Sequence, residues 1–171
     1  WFQSGEISTQ QLSGFIIQFS VFSNLFLIAK LHKMINADSV ESMRASKEIL
    51  ANEIGVIFKG PQQLPSDSDA GLVSTVGSIE GGLFRFQAAH FEWLLRLADQ
   101  LGIPFEKLGK RAHGTVATLF FCDELVRLYG SDDYITAQAA SYAVENWAAA
   151  GFWDALIEGF EKYNAQHKTS L

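Results

Sequence analysis

Three ligand-type residues stand where helical spacing surrounds them with apolar neighbours. Glu145 is the one carboxylate in residues 139–153, AASYAVENWAAAGFW, with Ser141 and Tyr142 a turn before it and Ala148 and Ala149 a turn after. Glu53 has Ile49 and Leu50 one turn behind it and Val56 and Ile57 one turn ahead. His90 has Leu83 and Phe86 behind and Trp93, Leu94 and Leu97 ahead. A carboxylate on such a face is costly unless it is paired, hydrogen-bonded or bound to a metal. Two carboxylates beside an imidazole repel each other until a cation holds them. Carboxylate and imidazole side chains projecting into a helical bundle are how di-iron and di-manganese sites are built. Each residue alone has an ordinary structural reading, as a helix glutamate beside Asn146 or as a core histidine with a backbone partner. No two of them form a local motif, so the metal-site reading rests on all three together.

The other reactive side chains point less strongly to chemistry. Cys122 sits among Phe120, Phe121 and Leu125, the surroundings of an inert core thiol. Asp123, Glu124 and Arg127 read as a solvated helix face with a pair three or four residues apart. His32, between Lys30 and Lys33, is expected to be exposed, and His113 to start a helix after Arg111. No HExxH, paired CxxC or phosphate-cradling glycine loop is present.

Apolar spacings of three and four recur and no sustained alternation is seen, so the fold is expected to be all-α in a single domain. Ser8 or Thr9 caps a first helix running to about Ile35, with Phe15, Phe19, Phe22, Phe26 and Leu27 in one stripe. Ser39 caps a second helix over residues 40–58. Residues 60–82, with Pro61, Pro65 and an acidic SDSD run, read as a long loop. A third helix is expected over 83–101, closed by Gly102, then a short helix or turn at 104–109 and a fourth helix over 115–129. The last helix spans 134–167 with a kink at Gly151.

The chain's 171 residues can bury a sizeable core, and 48% hydrophobic against 19% charged residues is a globular balance. A net charge of −6 argues against nucleic acid and against anionic membrane surfaces. The single cysteine excludes a disulfide framework and suits a reducing cytoplasm, where the protein is expected to reside. The most apolar run, 15–29, carries Gln18, Ser20, Ser23 and Asn24 and is too short to span a bilayer, so membrane insertion is not expected. The chain opens at Trp1 and nothing after Gln166 reads as a domain end, so it is expected to belong to a longer protein.

Over residues 7–160 the sequence resembles the heme-oxygenase-like di-iron oxidases, also described as iron-containing redox enzymes. The segments that carry the resemblance are LANEIG at 50–55, AAHFEWLLRLADQLGI at 88–103 and AASYAVENWAAAGFW at 139–153. The resemblance implies a heme-oxygenase-like helical bundle binding Fe(II) and activating O2 to oxidise a small substrate. The phenylalanine-rich helices tilt that substrate toward an apolar one. Carried over residue by residue, Glu53 matches the first Glu of the family, His90 the first His and Glu145 the second Glu. Two departures follow. The family's first Glu and His share one helix two turns apart, so residues 60–82 would be an insertion, and Glu80 rivals Glu53 as the first ligand. The HxxxDxxH-type segment expected after Glu145 is not in this chain, and His167 alone does not match it. Three donors are too few for a stable di-iron centre, so a further helix carrying His and Asp or Glu is expected beyond Leu171. A thiaminase-like hydrolase of the same fold, which would need Cys122, and a metal-free helical binding module are the competing expectations. A homodimer is compatible with all of them.

Overall fold

The computed structural model describes residues 2–57, 72–74, 85–87 and 90–171. Six α-helices dominate: α1 (Thr9–Ile35), α2 (Val40–Glu53), α3 (His90–Gln100), α4 (Val116–Tyr129), α5 (Tyr134–Trp147) and α6 (Trp153–His167). The fold is all-α. Among the described residues the β structure is a small antiparallel sheet of β1 (Val56–Ile57), β2 (Leu72–Ser74) and β3 (Arg85–Gln87), in the order β1-β3-β2.

The helix starts follow local chemistry. Ser8 and Gln11 form a capping box at α1: the Gln11 amide donates to Ser8 Oγ at 3.2 Å and the Ser8 amide to Gln11 Oε1 at 2.8 Å. Ser39, Thr115 and Asp133 cap α2, α4 and α5 in the ordinary way.

Helix α1 is apolar on all sides and packs against α2, α3 and α4, as a central helix must. By length and composition it would also suffice to cross a membrane, a test that the core helix of a soluble protein passes as well. Its N-terminal half packs Leu12 and Ile16 against Ala98, Ile103, Leu108 and Tyr163; its C-terminal half packs Phe26 and Ala29 against Leu125 and Tyr129. Between the two runs the expected aromatic stripe. Phe15, Phe19, Phe22 and Phe26 lie in succession at centroid separations of 5.7, 5.6 and 5.4 Å, each pair adding about 0.5–1.5 kcal/mol to simple burial.

Two expected helices are shorter than their spacing suggested. Helix α2 stops at Glu53, and Val56 and Ile57 leave it to pair with Phe86 and Arg85. Helix α3 starts at His90 rather than at residue 83, because Arg85–Gln87 form the middle strand. The loop expected over 60–82 lies outside the described residues except for Leu72–Ser74, which are strand; Glu80 lies outside them too. The kink expected at Gly151 is present. Gly151 has φ +95° and Ala150 ψ 30°, and the five-residue π turn Ala148–Phe152 separates α5 from α6.

Candidate functional site

Glu53 and His90 owe their meeting to helix ends. Glu53 is the last residue of α2 and His90 the first of α3, and His90 Nδ1 lies 3.0 Å from Glu53 Oε2. The dipole of each helix opposes the charge at its end, by about 0.3–1 kcal/mol where exposed. The direct contact outweighs this. Burial works against the Glu53 charge, but the hydrogen bond to His90, the His90 charge and Lys30 behind it hold the carboxyl below the usual range. The same hydrogen bond raises the His90 imidazole above its ordinary value; burial opposes this, and the charges of Glu53 and Glu145 add to it. The glutamate is 19% exposed and the histidine 68%. With the Nδ1 proton donated to Glu53, Nε2 is the ring nitrogen left to bind something else, the arrangement that orients metal-ligating imidazoles.

Glu145 does not face a charge-free interior. Its side chain is 58% exposed, and its Oε1 accepts a 2.8 Å bond from the ammonium of Lys30, which is 2% exposed. Lys30 Nζ also lies 4.6 Å from the Phe26 ring centroid and 5.7 Å from that of Tyr129. Burial pushes the Tyr129 phenol well up. Its hydroxyl has no hydrogen-bond partner among the described residues, and Ser141 is the polar side chain that bears on it.

Glu53, His90 and Glu145 all open on one cavity of about 210 Å³, walled by Phe19, Phe22, Phe26, Trp147 and Trp153. The kink after α5 completes that wall: Trp147 and Phe152 are 4.3 Å apart, and Phe152 stacks on Phe19 at 6.1 Å. The three expected residues thus share a cavity but not a single point. Glu53 and His90 touch, while Glu145 is drawn to Lys30. Among the described residues no three His, Cys, Asp or Glu side chains are grouped closely enough to hold a metal ion. Sequence reasoning missed Lys30 and Tyr129. The signal for Lys30 was a charge inside an otherwise apolar helix.

The remaining candidates lie apart. Arg111 takes Asp123 in a two-pronged pair at 2.7 and 2.6 Å, leaving Glu124 to Arg127 at 2.7 Å. His167 stacks on Tyr163 at 4.2 Å. Cys122 is buried on α4, and burial first, then Asp123, raises its thiol above the ordinary value. Cys122→Ala should therefore cost only about 1 kcal/mol, read by urea unfolding.

No family model, curated protein or solved structure matches this chain.

Proposed function

We propose that the protein is a non-heme iron oxidase or oxygenase whose small, largely apolar substrate occupies the aromatic cavity. The observation that supports this is the opening of two carboxylates and an imidazole, carried by three separate helices, onto one cavity walled by rings. The donor set fits the metal in kind: carboxylate oxygen and imidazole nitrogen suit divalent iron. In charge it is already balanced, His90 against Glu53 and Lys30 against Glu145, so a metal has to displace those partners. Glu53 and His90 are in contact, and Glu145 would join them at one iron only on leaving Lys30, since as they stand no three donors of the described residues are grouped closely enough to hold a metal; a second iron needs donors that the described residues do not present.

Iron, if held there, would supply the electrons that activate O2. The chain's own residues do the rest. The rings of Phe19, Phe22 and Trp153 bind an apolar body and keep water from it. A cavity of about 210 Å³ selects a small substrate or one end of a longer one. Glu53 fixes the imidazole by holding the Nδ1 proton, so that Nε2 is presented with a defined orientation. The second reading, a metal-free binding bundle, draws on the same ion pairs, because a site whose charges are already balanced is complete without metal.

Anaerobic titration with Fe(II) separates the two. Wild type should bind, and Glu53→Gln, His90→Gln and Glu145→Gln should each weaken binding by roughly tenfold or more. Since the His90 proton competes with the metal and is held to a raised pKa, affinity should rise with pH through that range. Absence of binding, or binding indifferent to all three substitutions, leaves the metal-free reading.

A further inference from the structure

What the aromatic cavity selects depends on what its polar groups leave unused. Glu145 gives Oε1 to Lys30, and Glu53 gives Oε2 to His90. Among the described residues the second oxygen of each carboxylate has no hydrogen-bond partner. Both glutamates line the cavity, and Glu145 is the more open of the two. Lys30 is buried and is not part of that lining. Among the lining residues His90 alone can carry a positive charge, against two carboxylates, and its Nδ1 is already engaged by Glu53. An anionic ligand would be repelled by both glutamates. A cationic one would find an acceptor waiting.

The chain itself shows how an ammonium is held here. Lys30 Nζ sits 2.8 Å from Glu145 Oε1 and 4.6 Å from the centroid of the Phe26 ring, a carboxylate and an aromatic ring acting together. Glu145 and Phe26 line the cavity as well, so the remaining oxygen of the same carboxylate offers a second ammonium the same chemistry. We infer that the cavity binds an amphipathic amine: its hydrocarbon body lies among Phe19, Phe22 and Trp153, and its ammonium donates to the Glu145 oxygen that Lys30 leaves free. Glu53 adds attraction at longer range. No ion pair of the chain has to open for this. The inference goes beyond the iron reading and needs no metal, taking from it only that the cavity is the ligand site.

The test is the affinity of the full 171-residue chain, in excess EDTA, for n-hexylamine, n-hexanol and hexanoate, read by titration calorimetry. The three share one alkyl body and differ in the polar end. Hexylamine should bind roughly tenfold more tightly than hexanol, the size of one charge-assisted hydrogen bond, and hexanoate more weakly than hexanol. Glu145→Gln, which keeps an acceptor for Lys30, should remove most of the amine's lead. Glu41→Gln removes the same net charge from an exposed position in the first turn of α2, about 18 Å along the helix from Glu53, and should leave the lead intact. Circular dichroism checks the folds, and the double variant Lys30→Met/Glu145→Gln replaces Glu145→Gln if the latter does not fold. Equal binding of the three probes overturns the proposal, because the cavity is then merely apolar. Tightest binding of hexanoate overturns it by giving the polar end to His90. Equal losses from Glu145→Gln and Glu41→Gln also overturn it, since the net charge of −6 would account for the preference. No binding of any probe overturns it together with the cavity as a ligand site, whereas metal binding is read separately by the Fe(II) titration.

Discussion

Glu145→Ala is expected to cost the fold about 2 kcal/mol, while Lys30→Met costs close to nothing. Both remove one partner of the same ion pair, so a ledger of contacts would charge them equally. The asymmetry comes from what is left behind. Without Glu145, an ammonium that is 2% exposed loses the carboxylate it is bonded to; stranding a buried charge costs about 3–5 kcal/mol when the site is closed. The figure is discounted because Glu145 is 58% exposed, and truncating it lets water approach Lys30. Without Lys30, by contrast, the stranded group is a carboxylate that already faces water, and methionine packs against Phe26 and Tyr129. The double variant should recover most of the loss, because nothing buried is then unpaired. Urea unfolding of the four proteins gives all three differences. Equal costs for the two single variants would sink the argument, and so would a double variant less stable than Glu145→Ala.

The lysine also marks where the sequence stopped being readable. Caps, glycines and apolar spacing gave most of the helical order, because these signals act within one turn: Ser8 with Gln11, Thr115 with Thr118, the break at Gly151. They also gave the aromatic stripe on α1. The faces of Glu53 and His90 were misjudged for a local reason. The apolar spacing was continued through Val56-Ile57 and back through Arg85–Gln87, which are strands rather than helix. Gly55 directly after Ile54, followed by two β-branched residues, was the available cue. Both residues reached the cavity anyway, as helix termini rather than as members of a buried face. Lys30 was beyond local reasoning. Its partner is 115 positions away, and a lysine that buries its stem has the same sequence neighbourhood as one that leads its ammonium to water.

Gly109→Ala is expected to be the more damaging change, at about 2–5 kcal/mol, and it should reach the site although it lies outside the cavity lining. Gly109 has φ +64°, a region that costs an L-residue about 1–2 kcal/mol. A Cβ there would stand 2.7 Å from the Phe91 ring and 3.2 Å from Asn24 Cβ, so the neighbours must move as well, adding about 1–3 kcal/mol. The backbone cannot turn away to relieve this. Its N–H donates to Ser20 Oγ at 3.0 Å and its carbonyl accepts from Asn24 Nδ2 at 2.9 Å, both on α1. The strain therefore falls on Phe91, which packs on the core formed with Leu12 and Ile16. Phe91 follows His90 in the first turn of α3, so a displaced Phe91 shifts the imidazole from its 3.0 Å contact with Glu53. Gly102→Ala is the control: φ is +67°, but a Cβ meets nothing within 4 Å, so only the backbone cost of about 1–2 kcal/mol applies. Urea unfolding measures the stabilities, and the His90 ring shifts in NMR titration report the pair. If Gly109→Ala is no worse than Gly102→Ala, close packing against Phe91 contributes nothing. If it is worse but the His90 titration is unmoved, the first turn of α3 is stiffer than this account requires, and His90 is positioned independently of the core beneath it.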